Sequence, residues 1–214
     1  MKIAAATLLA VIAAPCAQAQ STVELNVRGS VTPASCTPAL TGGGVVDFGR
    51  ISVQDLSQTQ RTQLKPRPIG LSISCDAATR FALRMKDNRD GTALVNSGIY
   101  YGLGLDRRGN RIGLYEVQFD PRRIQADALT QVYITDSTSA GQGWHAADLQ
   151  VDRIGANDML LGFSDTLGSV AGPVPIRDLT ATLMVQVVVA PTDSLDTSDD
   201  IAFDGEGTME VVYL

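Results

Sequence analysis

Histidine is almost missing from this 214-residue sequence: His145 is the only one. Two-histidine metal sites are therefore excluded, and a histidine general base has a single candidate. Aromatic residues are sparse at 5%, with one tryptophan, Trp144. A basic face is also missing, because 17 Lys and Arg stand against 23 Asp and Glu for a formal charge of −6. Nucleic acid and anionic lipid, which need clustered cations, are poor partners for such a chain. No segment carries sustained helical periodicity, and no internal repeat or linker divides the chain. What is present is a globular composition, 44% hydrophobic and 19% charged, with 20 glycines and 9 prolines to supply turns.

The first nineteen residues, MKIAAATLLAVIAAPCAQA, place Lys2 before an apolar run from Ile3 to Ala14 and small residues at Ala17 and Ala19. This pattern predicts an export signal over 1–19, cleaved between Ala19 and Gln20. The run is too short for a bilayer span, so the expectation is that the mature chain does not insert in a membrane. Pro15 stands before Cys16 where a lipoprotein signal has a small residue, so Cys16 is read as lost with the leader. Cys36 and Cys75 remain in a chain bound for an oxidising compartment, and a disulfide between them is expected.

Period-two alternation marks the strands. Val23, Leu25, Val27, Gly29 and Val31 alternate with polar residues and predict a strand that Pro33 ends. Further strands are expected at Val45–Phe48, Ile69–Cys75, Phe81–Met85, Gln131–Ile134, Leu179–Val189 and Thr208–Leu214. Asp55–Gln63 reads as a loop or a helical turn, and Tyr100–Gly104 with Ile112–Gln118 reads as a hairpin about an Asp106–Asn110 turn. Recurring strands with turn signals between them indicate an all-β sandwich.

Three possible sites carry weak signals. His145 follows Ser137, Thr138 and Ser139, but no G-x-S-x-G turn is present. Asp193, Asp196, Asp199 and Asp200 lack the spacing of a calcium loop and read as a solvated loop. Gly102 and Gly104 precede no helix and form no phosphate cradle. No metal or cofactor is expected. The Val23–Val31 segment is different, since it reads equally as the first strand of its own sheet or as a strand lent to a neighbour. Burying its four apolar side chains in another subunit would contribute on the order of 6 to 12 kcal/mol at most.

The run V-R-G-S-V-T-P-A-S-C, Val27 to Cys36, resembles the N-terminal extension of chaperone-usher pilins, with Gly29 and Val31 at the matching positions. L-S-I-S-C ending at Cys75 and the terminal G-T-M-E-V-V-Y-L, with Tyr213 penultimate, fit the same pattern. V-T-P-A-S-C-T-P, G-G-V-V-D-F-G, I-S-C-D-A-A-T, D-N-R-D-G-T and Y-G-L-G-L-D-R-R-G-N-R-I-G are similar to beta-type fimbrial major-subunit-like proteins over Val31 to Gly113. One departure is Ile201, where pilins usually carry glycine, with Gly205 and Gly207 nearer the end.

The resemblance implies an incomplete immunoglobulin-like β-sandwich at 35–214, completed by donor-strand exchange, with an extension at 20–34. It implies a non-enzymatic structural subunit of a surface fimbria that supports adhesion. Its partners would be a periplasmic pilus chaperone, an outer-membrane usher and other fimbrial subunits. Val23, Leu25, Val27, Gly29 and Val31 would form the donor face, and Met209, Val211 and Tyr213 the strand that meets chaperone or acceptor. The rival expectations are a tip adhesin or carbohydrate-binding module, and a periplasmic enzyme that would need His145.

Overall fold

The computed structural model describes residues 23–30, 35–127, 129–146, 153–156 and 159–214. The expected signal 1–19, its cleavage point at Ala19 and Gln20, and Val31 of the donor face lie outside the described residues. The chain divides into two units, Met1–Pro33 and Ala34–Leu214. In the first, residues 23–30 carry no strand, and Val23, Leu25 and Val27 are 96%, 88% and 87% exposed. The expectation of a strand within its own sheet thus fails over these residues. Alternation gives a strand two usable faces, but a strand also needs a neighbouring edge to take its backbone hydrogen bonds.

The second unit is all-β and built from two antiparallel sheets. Sheet one follows the order β1 (Cys36–Leu40), β3 (Arg67–Thr79), β10 (Ile176–Val189), β6 (Gly113–Ala126), β5 (Tyr101–Gly102), and β2 (Thr62–Gln63) also pairs with β10. Sheet two follows β11 (Gly207–Tyr213), β4 (Phe81–Asp87), β9 (Leu160–Ser164), β7 (Tyr133–Ser137), β8 (His145–Ala146). The inward residues of both sheets meet in one core, as in a sandwich. Ile69, Leu71, Ile73 and Cys75 enter it from β3, Phe81, Leu83 and Met85 from β4, and Leu179, Leu183, Val185 and Val187 from β10. Phe163 stands at its centre, 6.3 Å from the Phe81 ring and 5.6 Å from the Phe119 ring.

The longest ladder joins β6 and β10, from Leu179↔Ala126 to Val189↔Gly113, and it slips between Ala181 and Leu183. The slip falls opposite Pro121, which has no N–H to give a ladder. The short strand expected at Val45–Phe48 is not formed: after β1 the chain turns through Gly42, Gly43 and Gly44, all at positive φ, and then runs without strand pairing. Left-handed φ at three successive residues suits glycine and ends the extended conformation. β1, which the sequence did not signal, pairs antiparallel with β3 and brings Cys36 directly opposite Cys75. The expected disulfide joins them.

Candidate functional site

One side of β11 is paired with β4, from Gly207↔Asp87 to Tyr213↔Phe81. Among the described residues its other side pairs with no strand. Side chains directly opposite one another in an antiparallel pair share a face. Met209, Val211 and Tyr213 therefore lie on the face of Met85, Leu83 and Phe81, toward the core, as the alternation indicates. Met209 and Val211 pack half-buried against that core. On the opposite face Glu210 takes two hydrogen bonds from the Arg84 guanidinium, at 2.9 and 2.6 Å.

Beside this edge a groove of about 1160 Å³ opens between the sheets. One wall is the unpaired segment from Gly44 to Asp55 and the other is Ile201–Met209. Leu183, Val185 and Val187 of β10, Val117 of β6 and Met85 of β4 line it at depth. Val45 and Val53 are exposed at its rim. A sandwich with both sheet edges closed would bury this surface. Here apolar core side chains and the Gly207–Met209 end of β11 border one open space.

Tyr213, beyond the groove lining, ends β11. Its hydroxyl accepts the backbone N–H of Cys36 at 2.8 Å, so the last residues of β11 are tied across the sandwich to the first residue of β1. Tyr115 of β6 is part of the groove lining. That ring stacks on Tyr101 at 4.9 Å, and a Cβ on Gly205 would come within 2.9 Å of it. A Cβ on Gly207 would stand 3.0 Å from the Tyr115 hydroxyl, so this crossing needs residues without side chains. Burial, with help from the Asp87 and Glu206 carboxylates, pushes the Tyr115 hydroxyl above its ordinary pKa and keeps it a neutral donor. Tyr115 carried no sequence signal, since nothing local marks which tyrosine of a strand meets a distant glycine.

The groove rim is acidic, and Asp47, Asp55, Asp199, Asp200 and Glu206 contribute to it. The aspartate loop after β10 is held by arginines: Arg108 meets Asp196 at 3.1 Å, Arg50 meets Asp200 at 3.7 Å, and Arg107 pairs with Asp199. Asp106 anchors the arrangement by accepting the Asp196 N–H at 2.8 Å, the Arg108 N–H at 2.9 Å, and both Asn110 donors. Partial desolvation raises the Asp106 pKa. The Asp196 N–H and the Asn110 and Arg108 donors outweigh this effect and lower it to about 2. Among the described residues no cluster of His, Cys, Asp and Glu has the form of a metal site.

These features belong to a chain with recognisable relatives. A family profile described as "Protein of unknown function (DUF1120)" matches residues 25–103. The "Uncharacterized protein YhcF" of Escherichia coli (strain K12) is 30% identical over 229 aligned positions, which cover 92% of this chain and 93% of that protein. The chain belongs to the DUF1120 family and is a relative of YhcF. The "Protein GltF" of the same strain is 28% identical over 223 positions, covering 89% of this chain and 88% of that protein. The DUF1120 match takes in Leu25, Val27 and Gly29, both disulfide cysteines and the Gly44–Asp55 wall of the groove.

Elsewhere in this DUF1120 chain the weaker candidates stay apart. His145 is exposed on β8, at the end of sheet two opposite β11. The Ser137 hydroxyl accepts the Gly141 N–H at 3.0 Å and the Ser139 N–H at 3.3 Å rather than meeting an imidazole. Gly102 is a packing residue: its N–H donates to the buried Asp87 carboxylate at 2.8 Å, and no helix follows it. Among the described residues no helix is long and apolar enough to cross a membrane.

Proposed function

We propose that this chain is a non-enzymatic structural subunit of a bacterial surface fimbria that supports adhesion. On this reading it passes through the periplasm with a pilus chaperone and is assembled at an outer-membrane usher by donor-strand exchange. The observation that carries the reading is the groove of about 1160 Å³ that opens at Gly207 and Met209 of β11, a strand paired on one side only among the described residues. A second observation supports it from the donor side. The same chain carries Val23, Leu25 and Val27 at alternate positions, fully displayed to solvent. Exposed apolar surface of this kind marks an interaction segment.

Each half of the arrangement supplies what the other lacks. The acceptor offers backbone donors and acceptors along β11 and an apolar bed. The donor offers an extended strand with one apolar face. Before assembly the open groove and edge are aggregation-prone, which is the physical reason for a chaperone partner. The Cys36–Cys75 bond pins β1 to β3 beside the groove wall, so the acceptor keeps its shape while that space is unfilled.

The test is to express the exported chain with and without a periplasmic pilus chaperone and to compare unheated and boiled samples on a denaturing gel. The reading predicts soluble monomer only alongside the chaperone, and an SDS-resistant ladder that collapses on boiling. A soluble monomer that needs no chaperone and forms no ladder would overturn it.

A further inference from the structure

We propose that the stretch from Leu195 to Glu206 is a strap that gates the groove: latched by Arg89 it covers part of the apolar bed, and released it swings away and opens that part to a partner. The inference rests on the donor-strand reading above and adds its regulation, which that reading leaves open.

The strap joins the turn at Thr192–Ser194 to β11 and forms neither helix nor strand. Its side chains nevertheless alternate. Ile201 and Phe203 are half-buried and pack against the core, whereas Asp200, Ala202 and Asp204 are exposed. Ile201 and Phe203 line the groove together with the buried Leu195, so the bed they cover is closed to an incoming side chain. Gly205 lies against the groove lining: a Cβ there would come within 2.9 Å of the Tyr115 ring and 3.0 Å of Leu103. β4 ends at Asp87, opposite Gly207, so the strap runs past the last residue that could pair with it. Among the described residues no backbone-to-backbone hydrogen bond involves 199–203. A segment with so few backbone bonds opens locally well before the whole fold does.

Side-chain charge holds it instead. Its far end is tied by Arg108 to Asp196 at 3.1 Å and by Arg107 to Asp199. At the β11 end the Arg89 guanidinium donates to both Asp204 carboxylate oxygens at 2.9 Å and to the Asp204 carbonyl at 3.0 Å, and it meets a Glu206 oxygen at 2.8 Å. A forked pair of this kind is stronger than single contacts between exposed charges. Arg89 is also the more sheltered cation, 32% exposed against 70% for Arg107 and 72% for Arg108. Its hydrogen bonds hold the Asp204 carboxyl below the ordinary carboxylate pKa, which keeps the latch ionised. Arg89 is itself fixed by its neighbours. Its N–H donates to the buried Asp87 carboxylate at 2.9 Å, and its carbonyl accepts the Thr92 hydroxyl at 2.7 Å. The D-N-R-D-G-T run, Asp87–Thr92, is thereby a mount for one guanidinium. Gly205 and Gly207 flank Glu206 and supply the hinge.

The test is chymotrypsin cleavage after Phe203 in the full exported chain held by a periplasmic chaperone, read by mass spectrometry. Beside it runs the rate at which the same sample forms an SDS-resistant ladder. Cleavage of a transiently open segment follows the open population, so Arg89→Gln should raise cleavage after Phe203 by about tenfold or more. Cleavage after Phe163, at the core centre, should not change. Asp204→Asn removes the same latch from the strap side and should act alike, which keeps the test decisive if one variant harms folding. Arg89→Lys keeps the charge but not the fork and should fall between. Ladder formation should quicken by about threefold or more in the unlatched variants, because a larger fraction is competent to accept a strand. Unchanged cleavage after Phe203 in both variants would overturn the latch, as would an equal rise after Phe163. Faster cleavage without faster ladder formation would overturn the gate and leave donor-strand assembly intact. If the unsubstituted chain forms no ladder, the donor-strand reading fails and the gate with it, whereas the cleavage result still reads the latch.

Discussion

Replacing Cys36 and Cys75 together by alanine removes the one covalent link of the fold, and its cost follows from the chain it closes. The bond joins residues 39 apart in sequence. On the loop-entropy account, releasing such a loop in the unfolded chain costs about 4 kcal/mol of stability. For a chain of this length each kcal/mol moves the thermal midpoint by roughly 2–4 °C, so a fall of roughly 8–16 °C is expected. Loss of the buried sulfurs adds to it, since Cys36 and Cys75 are 9% and 3% exposed. The assay is thermal unfolding followed by far-ultraviolet circular dichroism on three samples: oxidised, reduced with the thiols intact, and the double variant. The reduced sample isolates the cross-link from the packing of the sulfurs. A shift under about 3 °C on reduction would refute the reasoning, because the unfolded state would then gain no freedom from release.

Three further outcomes follow from the same geometry. Tyr213→Phe removes the hydroxyl that accepts the Cys36 N–H. It should cost about 1 kcal/mol in denaturant unfolding, with a larger loss implying that more than this bond ties β11 to β1. Phe163→Ala empties the centre of the core, where Phe163 is 0% exposed, and should cost about 3–5 kcal/mol; a loss under about 1 kcal/mol would contradict the packing described. Because the folded Asp106 pKa lies below its unfolded value, its clasp on the aspartate loop is complete above about pH 4 and is lost as pH falls toward about 2. Thermal midpoints against pH should fall across that window, and Asp106→Asn should flatten the fall; an unchanged profile would remove Asp106 from the account.

The elements that were legible in the sequence are those with one face in the core. Ile69, Leu71, Ile73 and Cys75 alternate in β3, and Phe81, Leu83 and Met85 in β4, because the other face of each strand meets less apolar surroundings. β9 was illegible for the opposite reason: all five of its residues are buried, so Leu160–Ser164 has no alternation to read. Two-residue strands such as β2 and β8 exist only through the partners they meet, Val188 and Val189 in one case and Thr135 and Asp136 in the other. Val45, Val46 and Phe48 have the composition of a strand, but their neighbours in space are groove walls rather than a strand edge.

The candidate site divides in the same way. The core-side face of β11 and the pairing of Cys36 with Cys75 were readable, the first from period two and the second from the redox compartment. The meeting of Tyr115 with Gly205 and Gly207 was not, because it joins β6 to the approach of β11 across some ninety positions of sequence. Asp106 was legible as a turn residue. Its role in holding the Asp196 N–H depends on how the hairpin and the loop after β10 come together.

The central claim is that the segment around Val23–Val31 of one copy completes the groove of the next. Its most direct test is deletion of residues 20–31, with unheated denaturing gels run beside those of the full exported chain, both made with a periplasmic chaperone. The account predicts an SDS-resistant ladder from the full chain, and from the deleted chain a folded, chaperone-held monomer with no ladder. A ladder from the deleted chain would contradict it.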